Sequence, residues 1–413
     1  MDANNLNPSP TRSITLPKGF RAAAATAGIK ASSKPDIAII AADQPSPAAT
    51  VFTQNTIKGA PILVGMQHIR DGVLQAFVIN SGNSNVCTGE QGLVDATTMC
   101  ETVADHLGCK PADVLPSSTG VIGRPLPMHL ITPGIQSALP NLAASQQADT
   151  DAATAILTTD LVTKTASRTL TLTTGQTITL GGIAKGSGMI APNMATMLAF
   201  ITTDIAIASN LLQQALSHAT TLSFNRITVD SDTSTSDTVA IIASEAMSNP
   251  RLDTTDHPDY PAFLEALTSL CKELAYHIIK DGEGATKIYR VLVNSAATQH
   301  EADTLGRAVA DSPLVKTAVH GQDPNWGRLA MALGKTGVQY DPRKLTISIG
   351  DIPVFEAGIP IPMNDDNTAK LNAIMSEKEI TFTFDLAIGS ASTEFLGCDL
   401  SREYITINAD YTT

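Results

Sequence analysis

Residues Lys185 to Thr203 read KGSGMIAPNMATMLAFITT, and both the fold and the chemistry of the chain turn on this stretch. Gly186, Gly188 and Pro192 make a turn-rich approach, where glycine or an unusual backbone sits comfortably. Met197-Leu198-Ala199-Phe200-Ile201 is an apolar run that reads as a buried strand. Thr196 stands at the junction. By β-propensity alone a threonine at the start of a strand is ordinary. A hydroxyl held rigidly against its own preceding carbonyl also has the geometry to break the chain by an N-to-O acyl shift between Ala195 and Thr196. The new N-terminus is then a threonine whose hydroxyl is activated by its own α-amine.

Working outward, apolar segments at Asp36–Ala42, Ala49–Thr53 and Ala76–Asn80 are flanked by Gly, Pro, Asn or Ser, as strands are. A helix is expected over Leu93–Leu107. Thr169–Leu172 and Thr177–Leu180 alternate around Thr174-Gly175 as a hairpin that feeds the Thr196 stretch. Beyond it, the spacing predicts a strand at Met197–Ile201, a helix through Leu211–Ala219 and a strand at Thr238–Ala243. A long amphipathic helix follows, from Phe263 to Ile278, stopping at Gly282. The last third alternates strands (Val291–Asn294, Leu345–Ile349, Ile380–Leu386, Tyr404–Asn408) with helices near Ala302–Ala310 and Thr368–Ser376. Interleaved strands and helices place the chain in the α/β or α+β class. Residues 1–17 read as a flexible tail and 18–413 as one catalytic unit, with a smaller C-terminal α/β subdomain over about 290–400. No composition break separates the two sides of Thr196, so one shared core is expected.

The chain has 413 residues, 43% of them hydrophobic, enough for a large buried core. Aromatics are only 4%, so Ala, Thr, Ile and Val must fill that core, which suits a sheet-rich protein. A net charge of −13 argues against nucleic acid and anionic membranes as partners, since both need a basic footprint. The five cysteines are scattered, with no C-x-x-C pair, and the histidines form no H-x-x-x-H; neither a disulfide framework, a metal site nor a cofactor is indicated. Reduced thiols and the absence of a secretory leader lead to an expectation of a cytoplasmic protein. The longest apolar runs are too short to span a bilayer.

Several segments could carry chemistry. Pro116-Ser117-Ser118-Thr119-Gly120-Val121-Ile122-Gly123 reads as a small-residue loop, either a tight turn or an oxyanion hole built from the Thr119 hydroxyl and a backbone N–H beside Gly120. Thr158-Thr159-Asp160 is a turn or a helix end. Lys185, eleven residues before Thr196, is by default a solvated surface lysine, or else a cation able to hold a carboxylate near Thr196. Asp281-Gly282-Glu283-Gly284-Ala285-Thr286-Lys287 closes the long helix, with Gly282 a natural cap. Apolar alternation runs almost to Thr413, so the C-terminal end is expected to be docked. Gly334-Lys335-Thr336 imitates a phosphate loop, but Leu329 stands where the motif needs glycine, so no nucleotide site is expected.

Taken together, M-A-T-M-L around Thr196, S-T-G-V-I, T-T-D, D-G-E-G-A-T-K and the terminal I-N-A-D-Y-T-T resemble the ornithine acetyltransferase family, the glutamate N-acetyltransferases of arginine biosynthesis. The likeness runs from about Gly19 to Thr413. It implies a layered α-β-β-α sandwich of the ornithine acetyltransferase/aminopeptidase type, cut between Ala195 and Thr196 into an α chain (1–195) and a β chain (196–413) that assemble as an α2β2 heterotetramer. It implies Thr196 as nucleophile, with Thr119 and Gly120 as the oxyanion hole. Thr159, Lys185, Thr196, Glu283, Asn408 and Thr413 are then substrate-binding residues. N-acetylornithine and glutamate are the implied substrates. No metal or cofactor is implied, and acetyl-CoA is a further co-substrate in some members. Two departures stand out. Leu161-Val162-Thr163-Lys164 replaces the common T-x-P-K, and Ser231 replaces a common glycine, at a cost if that position has positive φ. Asn80–Asn85, Thr228–Thr235 and Asp323–Arg328 match the family and read as architectural. Two rivals remain open at this level: an N-terminal-nucleophile amidase or aminopeptidase that releases the acyl group to water, and a non-catalytic amino-acid-binding protein.

Overall fold

The computed structural model describes residues 12–191 and 197–410. The first sequence half contains β1 (Phe20–Ala25), β2 (Ile37–Phe52), α1 (Ala60–His68), β3 (Val73–Asn83), α2 (Gly89–Leu107), β4 (Val114–Val121), α3 (Met128–Ala138), α4 (Gln146–Ala155), β5 (Lys164–Thr171) and β6 (Thr177–Lys185). The middle carries β7 (Leu198–Thr203), α5 (Ser209–Thr221), β8 (Ile227–Thr228), β9 (Thr238–Ala243) and α6 (Tyr260–Lys280). The last third carries β10 (Ile288–Ala296), α7 (Gln299–Ala310), α8 (Pro313–His320), α9 (Trp326–Gly334), β11 (Thr346–Ile349), β12 (Ile352–Glu356), β13 (Ile359–Pro360), α10 (Asp365–Ser376), β14 (Glu379–Asp385), β15 (Ala391–Cys398) and α11 (Arg402–Asp410).

β2 decides the architecture. The two segments expected at Asp36–Ala42 and Ala49–Thr53 are one 16-residue strand. Its register on β3 shifts between Ala41 and Ser46, where Asp43, Gln44 and Pro45 face solvent. Pro45 and Pro47 lack N–H donors, so the ladder breaks there and the strand bends. Before the bend β2 pairs with β1 and β3; after it, with β9. The sheet, in order β4-β3-β2-β9-β7-β6-β5, therefore folds into two leaves.

Period-two alternation fills the space between the leaves. Phe77 and Ile79 from β3 and Ile40 from β2 meet Leu198 and Phe200 from β7 and Ile242 from β9. The Phe77 and Phe200 rings stand 5.0 Å apart across that interface. The opposite face of the first leaf, Ile39, Val78 and Val114, is covered by Met99 and Val103 of α2 and Ile131 and Ile135 of α3. The opposite face of the second leaf, Leu180, Ile201 and Ile241, is covered by Leu212 and Leu216 of α5 and Leu267 and Leu274 of α6. The result is an α-β-β-α sandwich. The segments on either side of Thr196 share it: β6 pairs antiparallel with β7, matching Lys185 to Leu198.

A second sheet, in order β13-β12-β11-β14-β10-β15-β8, packs α7, α9 and α10 around its own core of Tyr289, Val291, Leu305, Phe382 and Phe384. Its short strand β8 and the start of β10 join it to the α6 side of the sandwich.

Three expectations need correction. Arg12–Pro17, read as tail, is docked: the N–H groups of Ser13 and Thr15 donate to the Asp149 carboxylate at 2.7 and 2.8 Å, and Ile14 is fully buried. Pro116–Val121, read as loop, belongs to strand β4, parallel to β3. Because β4 is an edge strand, its proline leaves no ladder partner unpaired. Tyr404–Asn408, read as strand, lies in helix α11. Ser401 caps that helix by accepting the N–H of Tyr404 at 3.3 Å, and as a helix it turns Ile405 outward, 64% exposed.

Candidate functional site

The cavity that gathers the sequence candidates has a volume of about 380 Å³. Its walls come from the ends of β4 and β6, the start of β7, the loop after α4, the loop before β9, the loop after α6, and α11. Thr119, Gly120, Thr159, Lys185, Glu283 and Asn408 all line it. So do Met197 and Leu198, the first described residues after the proposed cleavage point. Ala195, Thr196 and Thr413 lie outside the described residues.

Backbone packing shapes the wall at Gly120. Gly120 has φ 129°, and a Cβ there would collide with Gly82 and Asn83 of β3. The Asn80–Asn85 segment is the platform it rests on. Ser118 Oγ donates to Asn80 Oδ1 at 2.6 Å, and Asn80 Nδ2 donates to the Asn83 carbonyl at 2.9 Å. Asn83 Nδ2 donates to the carbonyls of Arg124 and Pro125. Ser84 of this segment also lines the cavity, its Oγ donating to the Val121 carbonyl at 2.8 Å.

Lys185 ends β6 and is 3% exposed. Its Nζ donates to Thr158 Oγ1 at 2.8 Å and to Thr119 Oγ1 at 3.5 Å, and stands 3.8 Å from Asp160 Oδ2. Burial pushes the ammonium below its ordinary pKa; Asp160, Glu283 and Asp237 oppose that shift, and Lys164 adds to it. Thr158 is the threonine bonded to Lys185, and Thr159 lines the cavity beside it. Burial also disfavours a charged Asp160, but Lys185 and Lys164 outweigh it and hold this carboxyl well below the usual range.

Acidic residues also line the cavity. Glu283 follows α6, and its N–H donates to the Ser187 carbonyl at 3.0 Å. Its Oε2 accepts Asn408 Nδ2 at 2.8 Å. The carboxylate lies directly on Gly188, where a Cβ would collide with it. Tyr404 and Asn408, four apart on α11, share the cavity face. The Tyr404 hydroxyl donates to Asp230 Oδ2 at 3.1 Å, and its own pKa is raised by burial and by the nearby Asp230 charge.

The Thr228–Thr235 segment is more than architectural. Asp230, Asp232 and Thr233–Asp237 line the cavity. This segment also grips both flanks of 192–196. Upstream, Val229 N–H donates to the Ile190 carbonyl at 2.7 Å, Thr233 Oγ1 donates to the Ala191 carbonyl at 3.1 Å, and Asp230 accepts the N–H groups of Met189 and Ile190. Downstream, Asp237 Oδ1 accepts the Met197 N–H at 2.9 Å, and Thr238 N–H donates to the Met197 carbonyl at 3.2 Å. Asp237 is 1% exposed, and burial pushes its carboxyl well up from the ordinary range. Ser231 has φ 69°, a left-handed conformation that costs a non-glycine residue, and its hydroxyl donates to the Asp311 carbonyl at 3.2 Å. Asp323–Arg328 stays architectural: Asn325 caps α9, and Trp326 stacks on Phe355.

The sequence reading missed Asp230, Asp237, Thr158 and Tyr404. Two acids flanking a run of Ser and Thr mark Asp230 and Asp237, but that run does not say which backbone N–H groups they anchor. The departures at Leu161 and Thr163 fall on exposed residues, whereas Lys164, which keeps the family's lysine, is buried. Chemically, the cavity lining offers a cation, hydroxyls and carboxylates. That suits a small amino acid carrying both charges. Among the described residues, no group of three or more His, Cys, Asp or Glu is placed to hold a metal ion, and no helix is long and apolar enough to cross a membrane.

The family model described as ArgJ family matches residues 21–413. The arginine biosynthesis bifunctional protein ArgJ of Symbiobacterium thermophilum is 46% identical over 402 residues, covering 97% of this chain and 98% of its own. That of Bacillus cereus is 44% identical, covering 97% of each chain. The solved structure of the Bacillus halodurans protein of the same name is 40% identical, with a TM-score of 0.49, and covers 51% of this chain and 98% of its own.

Proposed function

This chain belongs to the ArgJ family of arginine biosynthesis enzymes, and from that premise we propose that it moves an acetyl group from N2-acetyl-L-ornithine to L-glutamate through an acetyl-Thr196 ester. The observation that carries the reading is the single cavity in which Thr119, Gly120, Lys185, Glu283 and Asn408 converge beside Met197. Self-cleavage between Ala195 and Thr196 frees the α-amine of Thr196, whose reference pKa is about 8. That amine takes the hydroxyl proton as Oγ1 attacks the acetyl carbonyl carbon. The Thr119 hydroxyl and the backbone beside Gly120 bear the oxyanion, a contribution of about 3 kcal/mol for one well-placed donor. The C–N bond breaks, the ornithine nitrogen takes the proton, and the ester remains. The glutamate amine then attacks the ester carbonyl, and Thr196 leaves with a proton restored.

Lys185 and Thr159 are assigned to the substrate carboxylate, and Glu283 with Asn408 to the side-chain amine of ornithine. Thr413 is assigned to the same pocket. The acetyl transfer itself requires no metal or cofactor. Because the relatives are named bifunctional, acetyl-CoA is proposed as a second acetyl donor at the same threonine. The processed α and β chains are proposed to assemble as an α2β2 heterotetramer in the cytoplasm.

Denaturing electrophoresis with N-terminal sequencing tests the first step, and should give fragments 1–195 and 196–413. Initial rates with both substrates varied should give parallel double-reciprocal lines, and labelled ornithine should exchange into N-acetylornithine without glutamate. Acetate released as fast as ornithine, regardless of glutamate, would make water the acceptor and the protein an amidase.

A further inference from the structure

Lys164 opens β5 and is fully buried. Its Nζ meets three acceptors: Asp160 Oδ1 at 2.7 Å, Asp281 Oδ2 at 2.6 Å and the Val162 carbonyl at 3.2 Å. These use the full donor capacity of an ammonium group. The two carboxylates belong to different parts of the chain. Asp160 follows Thr158 and Thr159; Asp281 ends α6 two residues before Glu283.

Each carboxylate passes the connection on. Asp160 Oδ1 also accepts the Gly186 N–H at 2.6 Å, and its Oδ2 accepts the Thr158 N–H at 3.0 Å and faces Lys185. Asp281 Oδ2 accepts the N–H groups of Leu161 and Val162, while its carbonyl accepts the Ser187 hydroxyl at 2.6 Å. An alternating row of charges, Asp281–Lys164–Asp160–Lys185, thus runs under the cavity floor and ends on the hydroxyls of Thr119 and Thr158.

Buried ion pairs are poor sources of net stability, because desolvation consumes most of the attraction. What such a row does well is fix distances. We propose that Lys164 is a positioning residue for the acetyl-transfer site: its ammonium sets how the segments bearing Thr159, Lys185 and Glu283 stand relative to one another, and through Asp160 it sets where the Lys185 ammonium rests against Thr119. The inference rests on the functional reading above. The charged groups facing Lys185 are Asp160, Glu283 and Asp237, which attract it, and Lys164 and Lys30, which repel it. Removing the charge of Lys164 removes a repulsion and leaves Asp160 to pair with Lys185 alone. Both changes raise the Lys185 pKa and draw its ammonium away from Thr119.

Two variants test this, Lys164→Met and Asp281→Asn, each checked for folding by circular dichroism and thermal melting. A displacement of about 1 Å in the site costs on the order of 100-fold in rate, so Lys164→Met should lose about that much in kcat/KM. The limb of its pH–rate profile that reports Lys185 should move to higher pH, which a merely loosened fold would not cause. Asp281→Asn cuts the row on the Glu283 side and leaves Lys164 on Asp160. It should raise KM for N-acetylornithine more than it lowers kcat, with the pH limb in place. Ornithine affinity, measured by calorimetry on the same proteins, should fall in both variants. A wild-type chain that binds ornithine without transferring acetyl sinks the functional reading, while the calorimetry still judges this one. Wild-type affinity, KM and pH limb in either folded variant overturn the proposal. If Lys164→Met does not fold, Asp281→Asn decides it.

Discussion

Gly188 shows how little room the site leaves. The Glu283 carboxylate occupies the space a Cβ would need. Gly188→Ala should displace that carboxylate and raise KM for N-acetylornithine, with a smaller effect on kcat; an unchanged KM would mean Glu283 does not hold the substrate amine. Asp237 makes a different prediction. Its folded pKa is raised, so the folded state favours the protonated form. That contribution to stability is fully present below the unfolded carboxyl value of about 3.9 and is lost as pH rises through the raised value. Asp237→Asn keeps a carbonyl for the Met197 N–H and has no charge to bury. Its thermal midpoint should therefore fall less steeply with rising pH than that of the wild type, as melts across the range will show. Ser231→Gly should raise the midpoint, because relief of the left-handed backbone, about 1 kcal/mol, exceeds the loss of one exposed hydrogen bond to Asp311. Single residues were legible in the sequence where a family motif carries them: Thr119, Lys185 and Glu283, far apart in the chain, all line the cavity. Asp230 and Asp237 were not, because they act on backbone N–H groups that become neighbours only after folding.

Elements were legible where large apolar side chains repeat. Thr238–Ala243 is β9 to the residue, and the Phe263–Ile278 periodicity is the heart of α6. α4 escaped notice because its buried positions are Ala148, Asp149, Ala152, Ala153 and Ala155, too small to produce a periodic signal. At the C-terminus the alternation of Tyr404, Ile405, Thr406 and Ile407 imitated a strand, while the deciding feature was the Ser401 cap. α11 has no fully buried residue, and only its Tyr404 packs, partly buried, on the edge of the sandwich core. Deleting residues 402–413 should therefore leave the melting transition close to that of the full chain and yet abolish ornithine binding, since Asn408 and Tyr404 leave with it. Loss of folding in that truncation would refute the view that α11 serves the cavity rather than the core. The reverse is expected between the leaves. Phe200→Ala empties the contact with Phe77 and should cost about 3–5 kcal/mol, read from denaturant midpoints.

For the molecule as a whole, the α/β class and a core shared across Thr196 followed from pattern. The two-leaf sheet did not, because it depends on one strand passing through a Pro-Ser-Pro bend that reads as an interruption. That strand has a consequence in time. β2 comes from the first half of the chain and hydrogen-bonds to β9 from the second; β6 and β7 repeat the arrangement beside the cut. A break at Ala195–Thr196 therefore leaves two polypeptides laced through one sheet, and they should elute as one species until denatured. While the backbone is continuous, bringing these strands together is an intramolecular event with a modest loop-closure cost. Once it is severed, the same encounter becomes bimolecular and depends on concentration. Denatured processed protein should refold with second-order kinetics and poor yield when dilute, whereas unprocessed Thr196→Ala should refold at a rate independent of concentration. The peptide bond spent in making the nucleophile would then also be the tether that guided assembly, so each molecule folds efficiently once and afterwards keeps its shape as a record of having done so.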